Sequence, residues 1–158
     1  MSTHVGLHTP VLAPLLPVTG TFALPFTGYF MLLSYRVISE RLKGKHYLGD
    51  NSAREDAKGH QATSNKLFLA TRCHQNFAEN VPLALTLAAA AELNGADRRS
   101  LTVALGALFA FRVLHVELGL RQRGGLGLGR LIGYWGTMAT MAGLAGYAAH
   151  LVKGYWDL

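Results

Sequence analysis

Long apolar stretches alternate with short polar segments along the chain. Two of these stretches, residues 11–33 and 131–152, carry no Asp, Glu, Lys or Arg. The hydrocarbon core of a bilayer is about 30 Å thick and needs about 20 helical residues to cross it, so both stretches predict membrane-spanning helices. Proline is tolerated in membrane helices, and three prolines predict a kinked or late-starting first helix: Pro14, Pro17 and Pro25.

Two further stretches, residues 67–93 and 100–120, combine apolar runs with a few polar side chains. Their apolar sections are hydrophobic almost all round and offer no polar stripe to water. We therefore predict two more membrane helices whose polar residues turn inward at one end; amphipathic helices of a soluble bundle are the alternative. The predicted fold is an all-α, integral membrane four-helix bundle in one domain, residues 1–158, with helices at about 11–39, 66–93, 100–119 and 129–153.

The composition favours a surface that faces lipid. Only 15% of the residues are charged, against about 25% in a typical soluble domain. The net charge of +6 comes from basic clusters between the apolar stretches, which suits membrane lipid as a partner. Nucleic acid is not expected, because basic and aromatic residues are not interleaved on any segment. The single cysteine, Cys73, permits no intramolecular disulfide.

Basic residues are concentrated in two of the connecting segments. Residues 35–66 and 119–130 hold ten Lys and Arg, whereas residues 94–99 and the segment after the last stretch hold three. Basic loops stay on the cytosolic side of a membrane. Loops 35–66 and 119–130 are therefore predicted to be cytosolic, and both termini are predicted to lie on the opposite side.

Small residues recur four positions apart on the last apolar stretch, a spacing that lets helix backbones approach closely in lipid. A high content of glycine and alanine would by itself also produce such pairs. The pairs are Gly129 and Gly133, Gly136 and Thr140, Ala139 and Gly143, and Ala142 and Gly146.

Arg72, Asn76 and Glu79 follow one another at i, i+4 and i+7 in the second predicted helix. This spacing places them on one helix face within reach of each other. Ionisable groups at membrane depth are costly and usually mark function. Spacing alone leaves two interpretations open: a polar clamp between helices, or a ligand site.

Further polar residues are expected at the same level of the bundle. Arg112 and His115 form an i, i+3 pair near the cytosolic end of the third predicted helix, and Arg130 opens the fourth with Tyr134 one turn further on. An arginine at a helix start is also common as a simple interface anchor.

Together with Arg36 and Arg41, which follow the first apolar stretch, these residues predict an electropositive pocket with one carboxylate, Glu79. Such a pocket suits a small amphipathic ligand with several anionic groups. Glutathione fits this description, since arginines would bind its two carboxylates and Glu79 its ammonium group.

Metal binding and serine hydrolase chemistry are not predicted. His74, Glu79 and His115 lack the HExxH or CxxC spacing of a metal site, and the chain has no GxSxG motif. The glycine-rich segment 124–129 is not followed by Lys-Ser/Thr and is interpreted as a flexible connection rather than a phosphate-binding loop.

Several of these segments resemble the MAPEG family (membrane-associated proteins in eicosanoid and glutathione metabolism). Arg72-Cys73-His74-Gln75-Asn76-Phe77-Ala78-Glu79-Asn80-Val81-Pro82 resembles the second-helix signature R-x-H/Q-x-N-x-x-E-x-x-P. Residues 112–115 resemble its third-helix R-x-x-H/Y, and residues 130–134 resemble the start of its fourth helix. Tyr35-Arg36-Val37 and Gly49-Asp50-Asn51 are similar to the microbial branch. The resemblance covers roughly residues 25–150.

This resemblance implies a homotrimer in the endoplasmic reticulum, the outer mitochondrial membrane or a bacterial inner membrane. It also implies glutathione as co-substrate between neighbouring subunits, and a lipophilic small-molecule substrate. Arg130 would hold the glutathione sulfur as thiolate, with Arg121 and Arg123 as alternatives. The implied glutathione-binding residues are Arg72, Asn76, Glu79, Arg112, His115 and Tyr134, with Arg36 or Arg41 and His74 from the adjoining subunit.

The chain departs from the family pattern at two positions. Eukaryotic enzymes of the family carry tyrosines where this chain has Asn80 and Gly119, and both changes remove hydroxyls that contact the ligand. Two hypotheses follow. The first is a membrane-bound glutathione transferase or peroxidase acting on lipophilic electrophiles or lipid hydroperoxides. The second is a non-catalytic lipid-binding or scaffold membrane protein of the same fold.

Overall fold

A computed structural model describes residues 15–45, 48, 66–122 and 127–156. These residues form four long helices: α1 (Pro17–Gly44), α2 (Lys66–Leu93), α3 (Arg98–His115) and α4 (Leu128–Leu151). A π-helical turn, Val116–Leu120, continues α3 without a break, and a short 3-10 helix, Lys153–Trp156, follows α4. The described parts of the chain contain no strand, so the predicted all-α fold with four helices is confirmed.

The helices form a ring in the order α1, α2, α4, α3, each packed on its two neighbours. Helices that follow one another along the chain run antiparallel. At the start of α1, Val18 meets Glu92 near the end of α2, and further along α1, Phe30 stacks on His74 near the start of α2. The predicted cytosolic end of the bundle therefore gathers the end of α1, the start of α2, the end of α3 and the start of α4.

Apolar side chains of α1, α2 and α3 fill the centre of the bundle. Phe26 of α1 meets the ring of Phe109 edge-on, with centroids 5.4 Å apart, and Tyr29 meets Phe77 in the same way at 5.4 Å. Such edge-to-face pairs stabilise by about 0.5–1.5 kcal/mol beyond their burial. Toward the opposite end the core consists of small and aliphatic residues without measurable exposure: Ala84, Ala88, Ala91, Leu101, Leu105 and Leu108.

Two carboxylates satisfy the helix starts at the end of the bundle opposite the polar cluster. Glu92 of α2 accepts hydrogen bonds from the backbone N–H groups of Val18 (2.7 Å) and Thr19 (2.8 Å), in the first turn of α1. Asp97 caps α3 by accepting from the backbone N–H of Ser100 at 2.9 Å. The first backbone N–H groups of a helix have no partner within it, so each carboxylate completes a helix start.

The first helix differs from its predicted bounds at both ends. Its predicted start falls at residue 11, but residues 11–14 lie outside the described residues, and the described helix begins at Pro17, where proline is favoured. It continues to Gly44, five residues beyond the predicted end at about residue 39 and into the segment predicted as the first loop. Lys45 ends it in a left-handed conformation, with its N–H bonded to carbonyls of the last turn.

Large apolar side chains point away from the bundle on every helix, as expected for contact with lipid. Examples are Leu24 (79% exposed), Leu83 (54%), Val103 (70%) and Trp135 (63%). By length and composition, one helix of the described chain, Arg98–Leu120, is apolar enough to cross a membrane.

Glycines of α4 close the seam between α3 and α4. A Cβ atom at Gly133 would lie 2.5 Å from Cβ of His115, and one at Gly136 would lie 2.5 Å from the ring of Phe111. The small residues in the first half of α4 thus allow the close helix approach that the sequence predicts, and the partner is α3 of the same chain. In the second half, a Cβ at Gly143 would meet nothing within 4 Å.

Candidate functional site

Polar and charged side chains from all four helices gather at one end of the bundle. The antiparallel arrangement brings the polar end of α2 level with the end of α3 and the start of α4, as the sequence predicts. The structure divides these residues into three groups: a buried pair between α2 and α3, a pair between α3 and α4, and a carboxylate-centred cluster between α1 and α3.

The first group joins Arg112 of α3 to Asn76 of α2. Arg112 is 2% exposed, and its guanidinium donates through Nη1 to Oδ1 of Asn76 at 2.9 Å and to the Asn76 carbonyl oxygen at 3.3 Å. Its Nε is buried and has no hydrogen-bond partner among the described residues. No described carboxylate forms an ion pair with it. A buried cation without a counter-charge is costly, so this arrangement favours an anionic ligand nearby.

The second group joins His115 of α3 to the backbone of Arg130 in α4. Nδ1 of His115 lies 3.0 Å from the Arg130 carbonyl oxygen. Because a carbonyl can only accept, Nδ1 carries the proton and donates, which leaves Nε2 as an acceptor in the neutral ring. His115 is 4% exposed, whereas Arg130 is exposed at the third position of α4.

The third group is centred on Glu117, in the π turn after α3. Its Oε1 accepts from Arg36 Nη1 at 2.5 Å and from the Tyr29 hydroxyl at 3.0 Å, and its Oε2 accepts from Arg121 Nη1 at 2.6 Å. One carboxylate therefore ties the end of α1 to the end of α3. Arg36, expected to reach a ligand in the adjoining subunit, is paired within its own chain.

Three predicted site residues lie outside the bundle interior. The Arg72 guanidinium lies over the ring of Phe68, 5.5 Å from its centroid, and Glu79 is exposed about two turns further along α2. Although their spacing predicts that they lie within reach of each other, no ion pair joins Arg72 and Glu79 in the described structure. Tyr134 is 46% exposed and meets the neighbouring Trp135 ring edge-on at 5.4 Å.

Two further predicted residues face α1 or belong to it. The His74 ring stacks on Phe30 with centroids 4.8 Å apart, and its Nε2 is buried without a hydrogen-bond partner among the described residues. Arg41 is half-buried in the last turn of α1.

The structure accounts for both positions that lack the family's tyrosines. Asn80 donates from its side-chain amide to the Asn76 carbonyl at 2.7 Å, and this bond stays within α2. Gly119 is buried against the start of α4, where a Cβ atom would lie 2.5 Å from the backbone nitrogen of Arg130. In this backbone arrangement no larger side chain fits at position 119.

Sequence reasoning assigned no role to Glu117. The sequence nevertheless indicates that Glu117 has a partner, since a carboxylate within an apolar stretch needs one. The partners Tyr29 and Arg36 lie more than eighty positions away in the chain, and no local spacing rule connects them to it. Among the described residues, no group of three His, Cys, Asp or Glu side chains could hold a metal ion.

The described helices thus form an all-α bundle with large apolar side chains on its outer surface and polar and charged side chains gathered at one end. The chain belongs to the MAPEG family, whose model matches residues 19–150. This match spans most of the chain and includes all three groups of the candidate site. No curated protein and no solved structure gives a significant match.

Proposed function

We propose that the protein is a membrane-bound glutathione transferase or peroxidase that acts on lipophilic electrophiles or lipid hydroperoxides. The observation that carries this proposal is the Arg112 guanidinium, 2% exposed and without a carboxylate partner among the described residues, in a chain of the MAPEG family. Members of this family generally use glutathione, a ligand with two carboxylates that would supply the missing negative charge.

The residues divide into two roles. Arg130, exposed at the start of α4, stabilises the glutathione thiolate, because a nearby positive charge lowers the pKa of a thiol. Glu79 binds the ammonium group, while Arg72 and Arg112 attract the carboxylates. Arg121 is a weaker choice for the sulfur, since it is already paired with Glu117, and Arg123 lies outside the described residues.

The chemistry follows from the thiolate. With an electrophile, the sulfur forms a new C–S bond and the leaving group departs with the bonding electron pair. With a hydroperoxide, the sulfur takes the terminal oxygen and the alcohol is released. A second glutathione then reduces the resulting sulfenic acid, which gives the disulfide and water. The lipophilic substrate enters from the bilayer.

We further propose that the chain crosses the membrane four times and assembles as a homotrimer. The exposed Arg72 and Glu79 on α2 support assembly, because charged side chains at membrane depth face protein or water rather than lipid. Native mass spectrometry in detergent is expected to show a trimer, and only monomer or dimer would contradict it. Tag accessibility in sealed vesicles is expected to place both termini opposite the cytosol; a cytosolic C-terminus would overturn this orientation.

The central experiment measures ultraviolet absorbance of the thiolate when glutathione is added to purified protein. We expect a thiolate band in the parent. Arg130→Ala should abolish the band and lower turnover with little change in glutathione affinity. Glu79→Ala should weaken glutathione binding by about 1–3 kcal/mol, as for a lost charge-assisted contact. If Arg130→Ala is as active as the parent, the assignment of the thiolate to Arg130 is wrong.

A non-catalytic lipid-binding or scaffold protein is the second candidate. The observation in its favour is the absence of side-chain hydroxyls at positions 80 and 119. The Asn80 side chain is bonded within α2, and the backbone of Arg130 leaves no room for a larger side chain at Gly119. If the parent forms no thiolate and conjugates no generic electrophile, this second function is the better description.

A further inference from the structure

We infer that Gly119 and His115 are positioning residues that set where Arg130 lies. The inference rests on the proposed function, because it assigns Arg130 to the glutathione sulfur. It gives His115 a role different from the ligand contact that the family resemblance implies, and it gives a role to Gly119, a position otherwise notable for a missing tyrosine.

Gly119 fixes the distance between the π turn and the first turn of α4. A Cβ atom at this position would lie 2.5 Å from the backbone nitrogen of Arg130 and 2.7 Å from its Cα. Both atoms are backbone, so they cannot move aside as a flexible side chain would. Any side chain at position 119 must therefore displace the backbone that carries Arg130.

His115 holds Arg130 at its backbone carbonyl group. Its Nδ1 donates to the Arg130 carbonyl at 3.0 Å. The histidine is itself held in place, since Gly133 of α4 packs so closely that a Cβ there would lie 2.5 Å from Cβ of His115. Gly119 thus sets the nitrogen side of Arg130, and His115 sets its carbonyl side.

The π turn explains how both residues come to face α4. In an α-helix of 3.6 residues per turn, two residues four positions apart, such as His115 and Gly119, point in slightly different directions around the helix axis. The turn Val116–Leu120 is wider than an α-helical turn, because the N–H of Arg121 donates to the carbonyl of Val116 at 3.0 Å. A wider turn reduces the difference in direction between these two residues. Such π turns are frequent at functional sites.

The consequence for chemistry is geometric. Arg130 lies at the third position of α4, and the position of its backbone limits where its guanidinium can reach. Misplacing a reacting group by about 1 Å can lower a rate by about 100-fold. A backbone shift at Arg130 should therefore reduce thiolate formation, while residues of α2 that bind glutathione are unaffected.

The test compares Gly119→Ala with Gly143→Ala, a matched change at a position where a Cβ meets nothing within 4 Å. We expect Gly119→Ala to lose the thiolate band and to lower kcat by about 100-fold, with the KM for glutathione nearly unchanged. Gly143→Ala should behave as the parent does.

A second pair of variants covers the case in which Gly119→Ala does not fold. Asn at position 115 keeps a side-chain N–H donor near the place of Nδ1, whereas Leu has none. His115→Leu should lose the thiolate band, and His115→Asn should recover a large part of it. If both variants instead raise the KM for glutathione and keep the band, His115 contacts the ligand and the inference is wrong.

The outcomes separate this inference from the proposed function. If the parent shows no thiolate band, the proposed function fails and takes the inference with it. If the parent shows the band and both Gly119→Ala and His115→Leu retain it with unchanged kcat, the inference alone is overturned. Band intensity that follows the series parent, His115→Asn, His115→Leu supports it.

Discussion

The guanidinium of Arg112 donates both to the side-chain oxygen of Asn76, at 2.9 Å, and to its backbone carbonyl, at 3.3 Å. One buried cation thereby holds α2 and α3 together through both acceptors of a single residue. Sequence spacing left a polar clamp and a ligand site open at Asn76, and these bonds show that Asn76 takes part in a polar contact between α2 and α3.

Replacing Asn76 should destabilise the protein even without glutathione. Asn76→Ala removes the 2.9 Å acceptor of a guanidinium that is 2% exposed, and leaving a buried donor unsatisfied costs about 1–3 kcal/mol. Unfolding of the detergent-solubilised protein without ligand would measure the loss. Gln75→Ala, at an exposed position of the same helix, is the control, and equal stability of the two variants would contradict the prediction.

Arg36 and Arg121 should contribute unequally to stability, although both pair with Glu117. The side chain of Arg36 is 29% exposed and that of Arg121 is 46% exposed. Exposed ion pairs stabilise by only about 0.2–1 kcal/mol, so Arg121→Ala should have a small effect. Arg36→Ala should have a larger one, because it also removes one of the two side chains of α1, Arg36 and Tyr29, that bond to Glu117. A double-mutant cycle with Glu117→Gln measures each coupling, and equal couplings would argue against this ranking.

Glu92 should matter for the start of α1 although it belongs to α2. Glu92→Ala removes both acceptors from the N–H groups of Val18 and Thr19, and the loss of a helix cap costs about 0.5–2 kcal/mol. Hydrogen exchange in the first turn of α1 should accelerate more than exchange in α3. The control is Glu40→Ala, which removes only an exposed pair with Lys43. Unchanged protection at Val18 would sink the prediction.

Asp97 predicts a dependence of stability on pH. Hydrogen bonds from the backbone N–H and then the hydroxyl of Ser100 hold the pKa of Asp97 below its ordinary value. A carboxyl whose pKa is lower in the folded state stabilises the fold above its unfolded pKa, and this contribution disappears as the pH falls through the folded pKa. The stability difference between the parent and Asp97→Ala should therefore shrink on acidification.

Asp97→Asn is the matched variant for this titration, because asparagine caps a helix about as well as aspartate and carries no charge. Thermal unfolding of the three proteins, measured from neutral to acidic pH, checks the prediction. A difference between the parent and Asp97→Ala that stays constant over this range would show that the Asp97 carboxyl does not carry the effect.

The helices were predictable because their signal is local. Apolar runs of suitable length indicate where α2 and α4 lie, and no distant residue is needed to find them. The end of α1 was harder, since the predicted helix ended at about residue 39 and residues 40–44 are polar enough to suggest a loop. These residues nevertheless continue α1 to Gly44. A helix can carry basic side chains in its last turn, here Arg41 and Lys43.

The candidate site was predictable only in part, for reasons that can be traced to particular residues. Asn76 and Arg112 belong to motifs with fixed spacing, so the sequence marks both, although it does not reveal their mutual hydrogen bond. Glu117 belongs to no motif, and its partners come from another helix. From the sequence, Gly119 was interpreted only as a position that lacks a tyrosine hydroxyl. Its contact with α4 depends on the distance between the two helices, which cannot be derived from the sequence.

The clamp between Asn76 and Arg112 also bears on biogenesis. Helices α2 and α3 are joined by a tight turn through Gly95, whose φ of 85° suits glycine. In the proposed four-span topology, α3 inserted alone would carry the charge of Arg112 into the bilayer without the acceptors of Asn76, and such a charge is costly there. The short turn delivers Asn76 on the same hairpin, so we expect α2 and α3 to leave the translocon as a pair rather than one after the other.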